Sequence, residues 1–191
     1  MPPVAEIALA LALAWGAGIR VYLVLFLCGL AGYMGWVELP RSFAVLSQPL
    51  VLGASGFMLI VEFFADKFPW IDSVWDAVHS FIRIPAGAAL AAMVLGDGTA
   101  IPVVAAILGG AVAAGAHFTK AGARSAINAS PEPFSNWTAS FLEDALVPLG
   151  LWLALIHPVY FLVLLAAGMI AAVLMLCWIW GGLKALALRL R

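Results

Sequence analysis

Residues 62–83 read EFFADKFPWIDSVWDAVHSFIR and place many ionisable side chains inside an otherwise apolar chain. A second stretch, 117–144, does the same, and long apolar segments flank both. An ionisable side chain inside a bilayer costs about 2.5–3.5 kcal/mol on insertion scales. We therefore expect these groups to be paired within the protein and to mark where it functions. They are Glu62, Asp66, Lys67, Asp72, Asp76, His79 and Arg83, then His117, Lys120, Arg124, Glu132, Glu143 and Asp144.

The composition is that of an integral membrane protein. Of the 191 residues, 65% are hydrophobic and 10% are charged, whereas soluble domains are about 45–50% apolar and 25% charged. The net charge of -1 gives no electrostatic basis for binding nucleic acid. Cys28 and Cys177 lie in apolar runs, so we expect neither a disulfide nor a metal site from them. The sequence predicts one all-α, polytopic integral membrane domain over residues 1–191.

The apolar runs predict about six transmembrane helices, some of them broken at proline or glycine. The first run, Val4 to Val37, would reach roughly 50 Å as one helix, against a hydrocarbon core of about 30 Å. It must tilt, protrude or bend, and Gly16-Ala17-Gly18 is the expected bend. The later spans are predicted to begin near Phe43, Asp72 (as an N-cap), Ile101, Asn136 and Pro158.

The loop charges predict the orientation. With six spans, both termini lie on the side of the 66–72 and 120–136 loops. The positive-inside rule then places both termini in the cytoplasm, with the protein in the cell inner membrane. That side collects Lys67, Lys120, Arg124, Lys184, Arg189 and Arg191, whereas the short loops of the other side hold Arg41 beside Glu38 and Asp97.

Two polar stripes follow helical spacing. One is Asp72, Asp76, His79 and Arg83, and the other is His117, Lys120, Arg124 and Asn128, both at three- and four-residue steps. Lipid cannot solvate such side chains, so the stripes are expected to face inward and toward each other. Counted from their helix starts, Arg83, Glu143 and Asp144 lie at similar depths near mid-membrane. We therefore expect Arg83 to pair with Glu143 or Asp144.

A weak internal repeat is a further hypothesis. At a shift of about 64 residues, Pro69-Trp70-Ile71-Asp72 aligns with Pro133-Phe134-Ser135-Asn136, and Pro85 falls close to Pro148. Each copy would be a helix broken at its proline, followed by an apolar tail too short to span alone. Paired interrupted segments of this kind are typical of transporter binding sites.

The favoured function is a transporter or permease for a small, for example anionic, solute, coupled to protons or cations. Basic and amide groups suit an anionic substrate, and carboxylates suit the coupling ion. The residues assigned to substrate binding are Arg20, Arg83, His117, Lys120, Arg124 and Asn128. Those assigned to ion coupling are Glu62, Asp66, Asp72, Asp76, His79, Glu143 and Asp144.

Two alternatives stay open. The glycine-rich spans also suit a structural or assembly subunit of a membrane complex, or a homo-oligomer. A lipid head-group enzyme or flippase could use Asp76 and His79, with Glu62 and Asp66, to bind a divalent metal. Alternatively, His117 could act as its acid or base. Catalytic signatures are absent from the sequence, so an enzyme is less favoured and no cofactor is expected. The expected partners are the lipid bilayer and a small molecule or ion.

The stretches VEFFADKFPWIDSVWDAVHSFIRIPAGA (61–88) and HFTKAGARSAINASPEPFSN (117–136) resemble a known family. It is a set of small bacterial integral-membrane proteins classed as domain of unknown function four-one-two-six. The resemblance extends over nearly the whole chain and implies a polytopic membrane protein. It implies no activity and assigns no role to any residue.

Overall fold

The computed structural model describes residues 2–37, 40–96, 100–128 and 133–189, and these parts of the chain contain helices and no strands. The side chains of Pro69, Pro133, Leu176 and residues 178–189 lie outside this description. The helices are α1 (Pro3–Tyr33), a 3₁₀ helix (Arg41–Ser47), α2 (Pro49–Ala65), α3 (Pro69–Val94), α4 (Ile101–Asn128), α5 (Pro133–Ile156) and α6 (Pro158–Arg189).

Most of these helices could cross a membrane. Within the described residues, five are long and apolar enough, and a sixth span results if the 3₁₀ helix and α2, which meet at 68°, are one broken segment. Proline begins α2 at Pro49, where its fixed φ suits a first turn and its missing N–H costs nothing. The predicted all-α polytopic fold, with some spans broken at proline or glycine, is confirmed.

Helix α1 folds back on itself at Arg20. This residue has φ -143° and ψ 78°, far from helical values, and it divides α1 into α1a (residues 3–19) and α1b (residues 21–33). A Cβ added to Gly16 would lie 2.8 Å from Cγ2 of Val24. In a straight helix, Gly16 and Val24 would be about 12 Å apart along the axis. The predicted bend is confirmed within two residues, and it is a sharp reversal.

The neighbours of the two halves give their directions. Helix α1a runs parallel to α4, because Ala14 packs near Gly109 and Gly18 packs on Ala116 further along α4. Helix α1b runs back toward the 3₁₀ helix, and Gly29 lies against Leu46 there.

The 3₁₀ helix fixes the level at which α1b ends. Ser42 in this helix donates to the carbonyl oxygen of Met93 at 2.7 Å, close to the end of α3. Both ends of α1 therefore lie at the end of the bundle where α3 finishes and α4 starts.

The fold-back changes the relation between the two ends of the chain. Phe161 packs on Trp15, and Met169, further along α6, packs on Gly115 of α4. Helix α6 therefore runs away from the end of the bundle at which α1 begins. The prediction that both termini share one side assumed that α1 crosses the bilayer once, and the described path does not support it.

Prolines inside helices do not break them here. Helix α3 continues through Pro85 and α5 through Pro148, so the predicted half-helices and their short tails are wrong. Two predicted starts also shift. Asp72 lies in the first turn of α3, which begins at Pro69, and Asn136 lies inside α5. The paired breaks of the repeat hypothesis are therefore not formed.

Candidate functional site

A buried set of ion-paired side chains, here called the charge network, lies where α1 folds back. Five helical segments contribute to it, and apolar side chains surround it. The side chains of Arg20, Glu62, Asp66 and Arg83 have no exposed surface. The members are Arg20 from α1, Glu62 from α2, Asp66 at its end, Asp76 and Arg83 from α3, Lys120 and Arg124 from α4, and Glu143 and Asp144 from α5.

Arg83 forms one part of the network together with two carboxylates. Its Nη2 lies 2.7 Å from Oε1 of Glu62, and its Nη1 lies 2.5 Å from Oδ1 of Asp76. The predicted partners, Glu143 and Asp144, contact other cations instead. The prediction for Arg83 is therefore wrong. The reason is that the fold-back of α1 places Arg20 beside α5, while α2 lies against α3.

His117 is held between Arg83 and Ser80. Nη1 of Arg83 lies 3.3 Å from Nδ1 of His117. Nε2 of His117 lies 2.6 Å from Oγ of Ser80, which donates to the carbonyl oxygen of Asp76 at 3.0 Å. His117 therefore links Arg83 to the backbone of α3.

Arg20 holds three carboxylates at the point where α1 reverses. Its guanidinium lies 2.5 Å from Asp66, 3.1 Å from Asp144 and 3.6 Å from Glu143. Its Nη2 also donates to the hydroxyl and carbonyl oxygens of Ser140, at 3.0 and 3.2 Å. The break in α1 therefore places a buried cation in contact with both the end of α2 and α5.

Arg124 makes a two-point contact with Glu143. Nε lies 2.8 Å from Oε1 and Nη2 lies 3.1 Å from Oε2, the paired geometry that suits a guanidinium and a carboxylate. Its Nη1 donates to both the side chain and the carbonyl oxygen of Asn136. These bonds tie the C-terminal part of α4 to α5.

Lys120 joins the parts into one network. Its Nζ lies 3.1 Å from Asp66, 3.5 Å from Asp76 and 3.3 Å from Glu143. It also donates to the carbonyl oxygen of Ile19 at 3.3 Å, a backbone group at the break in α1. Because Asp76 belongs to the Arg83 part and Glu143 to the Arg20 part, a change of charge in one part acts directly on the other.

The charges in the network do not cancel. Among its described side chains, the cations are Arg20, Arg83, Lys120 and Arg124, and the carboxylates are Glu62, Asp66, Asp76, Glu143 and Asp144. Four positive groups therefore face five negative ones if all are ionised. The excess of one negative charge is unchanged if the count includes Lys67, which interacts with Asp144, and Asp72, which interacts with Arg124. An uncompensated charge in a low-dielectric interior is strongly unfavourable. One more positive charge, a proton or a cation, would balance the network.

The remaining predicted residues lie at the edge of the network. Nε2 of His79 lies 3.2 Å from the hydroxyl oxygen of Tyr22, and its Nδ1 lies 2.8 Å from the carbonyl oxygen of Trp75. Asn128 donates to Asp72 at 2.9 Å. With the contact between Asp76 and Lys120, this confirms that the two polar stripes face each other.

The carboxylates considered for a metal site contact basic side chains in the described part of the chain. Glu62 and Asp76 are both occupied by Arg83, and Asp66 contacts three cations. In the described ranges, no three or more histidine, cysteine, aspartate or glutamate side chains are grouped in a way that could hold a metal ion.

Two of the cavities formed by the described residues reach the network. The larger, of about 540 Å³, lies among α1a, α4, α5 and α6 and touches Lys120 and Glu143. The smaller, of about 180 Å³, lies between α3 and α4 and touches Asp72, Asp76 and Arg124. Cavities therefore adjoin the network on both sides of α4.

Sequence reasoning missed several polar residues of the site, notably Tyr22, Ser80, Asn136 and Ser140. Ser140 is fully buried and binds Arg20, and Asn136 is nearly so and binds Arg124. A signal was present for these two. Asn136, Ser140 and Asp144 follow one another at four-residue steps, the spacing that puts side chains on one face of a helix.

Comparison with known proteins gives a family without an assigned activity. No curated protein matches the chain, and no solved structure does. The family described as Domain of unknown function (DUF4126) matches residues 7–180. Since the match covers nearly the whole chain, this membrane protein belongs to the DUF4126 family.

Proposed function

We propose that the protein is a transporter that moves a small solute across the membrane and couples this movement to a proton or cation through the carboxylates of the charge network. The observation that carries the proposal is the break in α1 at Arg20, which lies inside the network. Helices broken at membrane depth are tolerated where the freed backbone lines a site or is satisfied by protein. In secondary transporters such breaks form the substrate and ion sites.

The contacts at the break fit this role. The non-helical backbone of Arg20 interrupts the hydrogen bonding of α1, and the carbonyl oxygen of Ile19 accepts from Lys120. Lys120 and Arg20 share Asp66 as a partner. A change in the charge of Asp66 would therefore act on both halves of α1, and a segment able to reorient is what alternating access requires.

The ion pairs of the network favour its carboxylates as the groups that bind the coupling ion. Each basic side chain assigned to an anionic substrate is already occupied: Arg20, Arg83, Lys120 and Arg124 all contact carboxylates. The carboxylates are in excess by one. Coupling through a proton or cation thus needs no pair to be broken, whereas binding an anion would add to the imbalance.

In the proposed orientation, the protein lies in the cell inner membrane with the start of α3 and the ends of α4 and α6 on the cytoplasmic side. Lys67 lies at this end of the bundle, just after α2. The part of α1 before Arg20 carries no lysine or arginine, which fits a position on the opposite side. The side chains of Lys184, Arg189 and Arg191, which also support it, lie outside the described part. Because α1 folds back, its beginning then faces the opposite compartment, and α1 is a re-entrant hairpin.

The test uses the full chain in proteoliposomes on a solid-supported membrane. Amino acids, dicarboxylates, polyamines and quaternary amines are applied in turn, with a pH gradient in each direction. A pH-sensitive dye enclosed in the liposomes is read as well, because a one-for-one exchange of a proton for a cation moves no net charge. We expect at least one class to produce a transport current or a change in internal pH that is absent from protein-free liposomes and reduced in Asp66→Asn. Folded protein that gives neither signal with any class contradicts the proposal and favours an assembly subunit. Scrambling of fluorescent phospholipids instead would favour a flippase.

A further inference from the structure

The larger cavity has one polar end and otherwise apolar walls. Its volume of about 540 Å³ falls within the range of small-molecule sites, about 300–1,000 Å³. Trp15 and Phe161 form part of the wall, with Leu153 and Met169, and Lys120 and Glu143 stand at the polar end with Thr119. The hydroxyl of Thr119 is bonded to the carbonyl oxygen of Gly115. The charged groups at one end therefore decide which ligand charge is accepted.

A carboxylate, more than an ammonium group, is presented to this cavity. The Glu143 side chain is 14% exposed and that of Lys120 is 2% exposed. Nζ of Lys120 already contacts three carboxylates and one backbone carbonyl. An anionic ligand would have to displace one of these partners and would bring a second excess negative charge. Glu143 itself contacts Arg20, Lys120 and Arg124, but part of its side chain stays exposed. A cationic ligand can therefore lie beside it without displacing a partner, and it would bring the network to neutrality.

The walls add a requirement for a hydrophobic ligand. The rings of Trp15 and Phe161 meet edge to face with centroids 6.3 Å apart. Aromatic faces attract cations, more so where water is excluded. A small inorganic cation would lose its hydration shell against these walls without oxygen ligands to replace it, whereas an organic cation brings apolar surface that the walls can cover.

We propose, on the basis of the transport function above, that the cavity binds one hydrophobic organic monocation, whose charge lies beside Glu143 and takes the place of a proton held on Asp144. Asp144 is suited to hold this proton. Among the described side chains it has one ion-pair partner, Arg20, and its Oδ2 has no hydrogen-bond partner. The network then carries either a proton or the cation. Mutually exclusive binding of this kind gives exchange of one for the other.

The groups around Asp144 are compatible with this exchange. Arg20 faces it from α1, Asp66 and Lys67 interact with it from the end of α2 and the turn that follows, and Glu143 precedes it in α5. The two acidic neighbours favour its protonated form and the two basic neighbours oppose it. Loss of the cation from beside Glu143 removes a nearby positive charge, so Asp144 takes up a proton as the cation leaves.

The test measures binding of tritiated tetraphenylphosphonium to the full chain in lipid nanodiscs, corrected for empty nanodiscs. We expect saturable binding whose Kd rises by up to about tenfold per unit fall in pH, because one proton competes with one cation. Glu143→Gln should weaken binding by about tenfold or more, since it removes the excess negative charge. Asp144→Asn should abolish the pH dependence while leaving the protein folded.

A cavity-filling variant separates the site from general effects of charge. Gly168 lines the cavity, and a Cβ added there meets no atom within 4 Å. Gly168→Phe should therefore remove binding without disturbing the network. Gly53→Phe is the matched control, because Gly53 is equally open but lies on α2 away from the cavity.

Three results would overturn the inference. They are equal or tighter specific binding of tetraphenylborate, which has the same shape and the opposite charge, full binding in Gly168→Phe, and the absence of saturable tetraphenylphosphonium binding to folded protein. None of them bears on the transport proposal, which fails if the proteoliposome measurements above find neither a current nor a change in internal pH with any solute.

Discussion

Nη2 of Arg83 lies 2.7 Å from Oε1 of Glu62 and joins α3 to α2 across the turn that separates them. The side chains of both residues are fully buried. Similar depth had pointed to Glu143 or Asp144 as the partner of Arg83. Depth alone does not identify a partner, since Arg20 reaches the same level from the fold-back of α1 and contacts both of those carboxylates.

The Arg83–Glu62 contact can be tested by double substitution. Removing one partner of a buried pair costs about 3–5 kcal/mol, whereas removing both charges can be close to neutral. We expect Arg83→Met to lower the melting temperature in detergent sharply and Arg83→Met with Glu62→Gln to recover much of it. Arg83→Met with Glu143→Gln should recover nothing. Recovery in this second double variant would show that Glu143 is the partner of Arg83, as their similar depth had predicted.

Ser140 should be important for stability. Its hydroxyl accepts from Arg20 at 3.0 Å and its side chain is buried. An unsatisfied buried donor costs about 1–3 kcal/mol, and more when it is charged. Ser140→Ala should therefore lower the melting temperature clearly. The control is Ser125→Ala, since the Ser125 hydroxyl is exposed and bonds within its own helix. Equal changes in melting temperature for the two variants would show that the bond of Ser140 to Arg20 does not stabilise the protein.

Gly18 should tolerate no side chain. A Cβ there would overlap the carbonyl oxygen of Ala113 and lie 2.9 Å from Cβ of Ala116. Both obstacles belong to α4 and neither is a flexible side-chain end, so the helices must separate. Overpacking typically costs about 1–3 kcal/mol, and Gly18→Ala should show this in thermal melting. Gly53→Ala, at an open position, should be neutral or stabilising by up to about 1 kcal/mol.

The fold-back of α1 predicts which compartment its beginning faces. In a chain whose two cysteines are replaced, Val4→Cys should react in intact cells with a thiol reagent that cannot cross the inner membrane. Phe68→Cys, an exposed position between α2 and α3, should react only after the membrane is opened. If both cysteines require opening, the beginning of α1 is cytoplasmic and α1 crosses the membrane once.

The fold class and the inward-facing stripes could be predicted from the sequence, because each depends on a local property. Apolar length defines a span, and three- and four-residue steps place Asp76 and Lys120 on helix faces that lipid cannot solvate. The angle at Arg20 is not such a property. The small residues before it permit a bend, but the contacts of α1b with α2 and the 3₁₀ helix determine that it is a reversal.

Pro85 and Pro148 show a different limit. In a soluble protein, a proline inside a helical pattern indicates a break, and we read these residues in that way. In a membrane bundle the freed carbonyl can be satisfied by neighbouring groups, so the helix continues. A proline looks the same in the sequence of a soluble protein and of a membrane bundle. The groups packed around it determine whether the helix breaks or continues.

The partners of Arg20 have a consequence for how the protein is made. All of them lie later in the chain, beginning with Asp66 and ending with Asp144 in α5. While α1 leaves the ribosome, its buried guanidinium has nothing to bind, and the apolar surface around it cannot hold a lone cation at depth. Asp66 arrives with the end of α2, and Ser140, Glu143 and Asp144 arrive only with α5. The contacts that hold the hairpin of the first helix are therefore completed late in synthesis, after most of the chain has been made.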